Sequence, residues 1–229
     1  LKFLRQVQVP YSLLYLEETM TNYAELTRHF VDLFELRFSL KSSKDRDNEV
    51  SHLLKNIHSL LEKVDRLDHD RILRRVLNAI EATVRTNYFQ ITKEESLKED
   101  YLKPYLSLKF DCRGLEDLPH PSPLYEIFVY SPRTEATHLR GAKVARGGIR
   151  WSDRLEDFRT EILGLMKAQT VKNAVIVPLG SKGGFVVKRR DKFSDPAQLK
   201  EEVIACYQMM MRGMLDITDN LSNGKIVHP

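Results

Sequence analysis

The residues of this chain best placed to do chemistry are cations set beside paired glycines. Arg146 opens the run Arg146-Gly147-Gly148-Ile149-Arg150. Lys172 opens Lys172-Asn173-Ala174, which leads through Pro178 into Leu179-Gly180-Ser181-Lys182-Gly183-Gly184. Glycine has no Cβ, so backbone can turn sharply and approach a ligand closely. A cation on such a turn can be aimed into a cleft. Lys and Arg are also concentrated around glycines between positions 138 and 192, which suggests an anionic ligand. A lone Lys or Arg near glycine is ordinarily a surface charge, so the weight lies in the grouping.

A nucleotide phosphate is a poor match for these turns. A phosphate-binding loop needs GxxxxGK followed by Ser or Thr. Here Gly183 follows Lys182, and the first glycine is missing from its required position. GxGxxG is absent as well, so no dinucleotide fingerprint is predicted in this chain.

The elements around the cations read as an α/β layer. Tyr105 to Asp111 alternates as a strand, Leu118 to Pro123 is a proline-rich loop, and Leu124 to Tyr130 has the β-branched and aromatic content of a strand. His138 to Ala145 is a further candidate strand. Ser152 is predicted to cap a helix with Asp153, Glu156 and Asp157 in its first turn, where the helix dipole favours acids. Leu155, Phe158, Ile162, Leu165 and Gln169 mark its face. Ala174 to Pro178 and Phe185 to Lys188 read as buried strands. Asp195 before Pro196 is a good helix start, and Leu199, Val203, Tyr207, Met210 and Met214 form that helix's face, the methionines as core filler. Arg146, Lys172 and Lys182 thus fall at or near element ends, where α/β folds build sites. Arg150 is expected to pair with Asp153 or Glu156, and Trp151 to be core. His138 and His228 have no evident partner.

The first hundred residues are helical by pattern. One helix covers much of 11–38. Residues 45–65 carry a stripe from Val50 to Val64 at three-and-four spacing. Lys41 to Asp47 is a polar connector. Asp68 is a candidate cap for a third helix with Ile72, Leu73, Val76, Leu77, Ile80 and Val84 on one face. Such stripes bury against one another or against a sheet. The predicted organisation is a helical segment over 1–103 and an α/β unit over 104–229.

Bulk properties narrow the class. The 229 residues carry a formal net charge of +4, with 42% hydrophobic and 30% charged residues. This modest excess, mostly interleaved with acids, does not call for nucleic acid. The apolar runs are too short to span a bilayer, and no leader is visible. Cys112 and Cys206 lie outside metal-ligand spacing and are expected to be reduced thiols. The absence of an initiator Met suggests a piece of a longer protein.

The run from Ala145 to Phe185, ARGGIRWSDRLEDFRTEILGLMKAQTVKNAVIVPLGSKGGF, closely resembles the large NAD-specific glutamate dehydrogenases of bacteria. More distantly it resembles the substrate domain of the small glutamate dehydrogenases, which show a lysine before GG(L/I)R, a second lysine further on and a P-x-GG-x-KGG turn. The resemblance is specific from 138 to 229, including the tail LDITDNLSNGKIVHP. It implies that 104–229 is the mixed-sheet glutamate-binding domain, with NAD bound mainly by a domain outside this chain.

By the same resemblance Arg146, where the family has lysine, holds the side-chain carboxylate of glutamate. Lys172 holds the α-carboxylate, with Lys167 as the rival. Lys182 is catalytic, and Gly147, Gly148 and Gly183 contact substrate. Charge is preserved at position 146 but geometry changes, since a guanidinium grips a carboxylate through two parallel hydrogen bonds. The family aspartate that serves the amino group lies beyond the His-Pro that ends the chain. The implied activity is oxidative deamination of L-glutamate to 2-oxoglutarate and ammonia, by a cytoplasmic homo-oligomer of amino-acid catabolism. The isolated chain is expected to be inactive. Two other readings stay open: a related branched-chain amino-acid dehydrogenase, which would have an apolar pocket at position 146, and a non-catalytic assembly or regulatory module.

Overall fold

The striped segments form helices, and their stripes meet. The computed structural model describes residues 1–40, 45–92, 101–172 and 179–228. The helices are α1 (Lys2–Gln6), α2 (Leu13–Asn22), α3 (Ala24–Phe38), α4 (Arg46–Leu61) and α5 (Leu67–Ala82). Leu26, Phe30 and Leu33 of α3, Ile57 and Leu61 of α4, and Leu73 and Leu77 of α5 share one buried core. The single helix expected over 11–38 is two. Tyr23 sits at φ −112°, ψ 54°, outside the helical region, and breaks it. Ser12 caps α2 by accepting the Tyr15 N–H at 3.1 Å.

Two further expectations shift. Asp68 does not cap α5, which begins at Leu67 after Arg66. It lies in the first turn and accepts from the Tyr15 hydroxyl and from Arg66. The Tyr15 hydrogen bond, aided by Arg66, holds its carboxyl down at about 2. Val84 leaves the stripe because Thr83 turns extended after α5, so Val84 lies in a strand and is exposed.

That strand, β1 (Thr83–Thr86), is the edge of a six-stranded sheet. The sheet therefore reaches back past residue 104. After the short pair β2 (Ile91–Thr92) and β3 (Tyr101–Leu102) come β4 (Leu106–Asp111), β5 (Tyr125–Tyr130), β6 (Thr134–Arg140) and β7 (Ile149–Ser152). Helix α6 (Phe158–Lys172) leads on to β8 (Ser181–Val187), and α7 (Pro196–Leu215) to a hairpin of β9 (Asn220–Ser222) and β10 (Lys225–Val227). The strand order is β1-β4-β5-β6-β8-β7. Among the described strands of this sheet β7 and β8 pair parallel and the other neighbours antiparallel, so the sheet is mixed, as expected.

Each face of the sheet has its own core. Phe110, Phe128, Leu139 and Val186 pack on Phe3 of α1, Ile72 of α5, and Phe158 and Ile162 of α6. On the other face Val129, Ala136, Phe185 and Val187 pack on Cys206 and Met210 of α7. Asp195 caps α7 as expected, accepting the Ala197 N–H at 3.0 Å with Pro196 as the first helical residue. Both cysteines are buried and free.

The neighbourhood of β7 departs most from expectation. The helix predicted from Ser152 starts at Phe158, and Ile149–Ser152 is a strand. Ser152 instead donates to Glu161 and accepts from the Arg154 N–H. Arg150 pairs with Glu161 at 2.8 Å, not with Asp153 or Glu156. Trp151 is 39% exposed because β7 is a sheet edge, and Arg190 lies 5.6 Å from its ring centre. The strand at Phe185 starts earlier, at Ser181, and the one near His138 spans Thr134–Arg140. The strand expected at 174–178 falls outside the described residues.

Candidate functional site

Parallel strands need a crossover connection, and α6 is that connection between β7 and β8. It runs opposite to both. Phe158, near its start, shares a core with Val186, and Ile162 meets Gly184 further back along β8. Continuing in that direction, the last turn of α6 reaches the end of the unit where β7 and β8 begin. Lys172 closes the helix there, and its side chain lies outside the described residues. Lys167, its rival, is exposed on α6.

Arg146 and Lys182 belong to that same end. Arg146 bridges Gly180 in parallel, and its carbonyl accepts the Ser181 N–H at 3.0 Å. The Gly148 carbonyl accepts the Gly183 N–H, also at 3.0 Å. The two glycine turns are thus neighbouring lengths of backbone. Arg146 is exposed and Lys182 partly buried. Among the described residues neither has a carboxylate within ion-pair distance.

The glycines make this junction possible. A Cβ on Gly147 would stand 1.6 Å from the Ser181 carbonyl oxygen, so only glycine lets the two backbones meet. A Cβ on Gly184 would come within 2.2 Å of Ile162, so α6 seats directly on the strand. Gly183 is hemmed at 3.0 Å by atoms of His138, Ile149 and Met210, and contributes close packing. Gly148 is different: a Cβ there would be 4.0 Å from Lys182 Nζ, which puts this glycine beside the amine. Because protein atoms fill the space over Gly147, Gly183 and Gly184, these residues frame no cradle for a dinucleotide.

One charged feature escaped the sequence reading. Arg159 and Glu126 are a fully buried pair, bridged at 2.7 Å with side-chain exposures of 1% and 0%. Nε of Arg159 also donates to both Glu126 oxygens, and Thr137 donates to one of them at 2.7 Å. Burial works against the charge of Arg159, and Glu126 more than offsets it, leaving its pKa raised. Arg159 follows directly on the stripe residue Phe158, the sole hint in the sequence that it faces inward. His138 is neutral in the fold, depressed to about 4 by burial and then by Arg140. His228, without an evident partner by sequence, meets Asp219 at 2.8 Å.

Residues 56–229 match the family described as bacterial NAD-glutamate dehydrogenase, catalytic domain. The chain belongs to that family. Residues 1–40, covering α1 to α3, match glutamate dehydrogenase helical motif 3. Three curated relatives are each named NAD-specific glutamate dehydrogenase. The protein from Halomonas elongata is 49% identical over 100% of this chain, and that from Pseudomonas aeruginosa 47% over 100%. The protein from Mycobacterium tuberculosis is 47% identical over 97%. The chain spans 14% of the length of each of these relatives. Both glycine turns and α6 lie inside the catalytic-domain match, and no described helix is long and apolar enough to cross a membrane.

Proposed function

We propose that this chain supplies the glutamate pocket of an NAD-dependent glutamate dehydrogenase, which converts L-glutamate to 2-oxoglutarate and ammonia. The reading is carried by one observation. Arg146 and Lys182, without a carboxylate partner among the described residues, and the last turn of α6 share one end of the β7–α6–β8 unit, inside the stretch that matches the catalytic domain. A pocket with two fixed cations selects a dicarboxylate. In this reading Arg146 clasps the side-chain carboxylate and Lys172, with Lys167 as the rival, the α-carboxylate. Gly148 borders the pocket beside Lys182, while Gly147 and Gly183, expected to contact substrate, serve the close packing that brings the two turns together.

Lys182 then handles a proton. Its Nζ accepts one from the water that adds to the substrate's iminium carbon, and the carbinolamine so formed breaks its C–N bond to release ammonia as its hydroxyl proton passes to solvent and the carbonyl forms. A second acid–base group, outside these residues, protonates the leaving nitrogen. NAD would supply the hydride acceptor for the overall reaction, and residues outside this chain would hold it. The same reading assigns 1–103 to helical support and 104–229 to substrate binding. It makes the protein a cytoplasmic homo-oligomer of glutamate catabolism.

The test is Lys182→Ala in the intact protein. Loss of a general base lowers turnover by about 10²- to 10⁴-fold. Near-normal NADH production with glutamate would refute the assignment. Substrate profiling of Arg146→Leu supplies the second arm: glutamate should lose its advantage over leucine and valine.

A further inference from the structure

The α7 face of the sheet holds a second group of cations that the glutamate reading does not use. Beyond the end of α7, a cavity of about 260 Å³ opens over β4, β5 and β6 and under the turn that carries Thr218 and Asp219. Its size is a little below the roughly 300–1,000 Å³ of drug-sized pockets. Four cations line it, Arg85, Lys109, Arg140 and Lys143, against the single carboxylate of Asp219. That carboxylate is already shared, 2.7 Å from Arg85 and 2.8 Å from His228. Lys109, Arg140 and Lys143 have no carboxylate within ion-pair distance among the described residues.

The arrangement is costly if the cavity holds only water. Arg85 and Lys109 stand directly opposite each other on β1 and β4, where like charges destabilise a sheet. Lys109 lies over the Tyr125 ring at 5.0 Å, and burial, then Arg85, holds its pKa below the ordinary value. Arg140 is tied back by donating to the Lys143 carbonyl at 2.7 Å, which fixes strand end and loop together. A bound polyvalent anion would relieve all three charges at once.

We infer that this cavity binds a small polyvalent oxyanion, either a tricarboxylate or phosphate, through Lys109, Arg140 and Lys143. The seat is separate from the glutamate pocket. Successive strand residues face opposite sides of a sheet, so Lys182 points away from the side of Gly183. Gly183 pairs with His138, which lines the cavity floor.

Calorimetric titration of the intact protein with citrate, and separately with inorganic phosphate, tests this. One saturable equivalent is expected for at least one anion, and which anion binds identifies the class. Lys109→Met and Lys143→Met should each weaken it by about tenfold or more, the loss expected for one charge-assisted hydrogen bond. Lys143 is an exposed loop residue, so its variant keeps the fold even if Lys109→Met does not. Lys182→Ala should leave the anion affinity unchanged while turnover falls. No saturable binding of either anion, or binding indifferent to Lys143→Met, overturns the inference. Binding that vanishes in Lys182→Ala also overturns it, by returning the anion to the glutamate pocket.

Discussion

The α3–α5 helices and the β7–β8 edge use charge in opposite ways. On the helices, charges answer one another locally: Arg28 meets Asp32 and Arg74 meets Asp70, each four residues apart. At the sheet edge, Arg150 has Glu161 and the nearby Arg159 has Glu126, while Arg146 and Lys182 have no such partner among the described residues. Both regions are rich in cations. The difference teaches that composition does not mark a site; a cation held by structure but left without a counterion does. Paired cations hold the fold, and unpaired ones are free to meet a ligand.

Breaking the buried pair should do the most damage to the fold. Arg159→Met leaves Glu126 charged and uncompensated between α6 and the sheet. It should cost about 3–5 kcal/mol, measured by chemical denaturation, and a loss below about 1 kcal/mol would show that the pair is dispensable. The unpaired cations should behave in reverse. Arg146→Leu and Lys182→Ala should stay within about 0.5 kcal/mol of the parent while activity with glutamate falls. A large loss of stability in either would turn a ligand-binding cation into a structural one.

His138 sharpens the comparison through pH. The folded chain keeps it neutral down to about 4, whereas its ordinary value is 6.5. Between those values the unfolded chain takes a proton that the folded chain refuses. Its contribution to stability is therefore full above about pH 6.5 and lost as pH falls toward 4, by an amount on the order of 3 kcal/mol. Denaturation midpoints of His138→Gln across that range should flatten relative to the parent. A parallel decline would place the titrating group elsewhere. The smallest effect belongs to the exposed pair: Arg28→Ala should change stability by about 0.2–0.5 kcal/mol, and added salt should erase the difference.

Much of the fold was legible along the chain because its signals are local. The stripes of α4 and α5, the cap at Asp195, the alternation of β4 and the β-branched and aromatic content of β5 each depend on near neighbours. The misreadings gather where distant residues decide. Ser152 has the credentials of a helix cap, yet pairing with β8 draws Ile149–Ser152 into the sheet. Trp151 looks like core until its strand proves to be the edge. Val84 fits a helical stripe until pairing with β4 takes its segment.

The site divides along the same line. Residue types and spacing alone singled out Arg146, Lys172 and Lys182 and the glycines beside them, since covalent order is all that a motif requires. Family membership followed from the same order. That two glycine turns lie side by side, that α6 brings its last turn back to them, and that the Lys182 amine lies beside Gly148 were decided by tertiary structure. So was the burial of Arg159 against Glu126, 33 residues away in sequence. Strand pairing and crossover direction join segments with no local reason to meet, and only when they meet does a charge find a partner or remain without one.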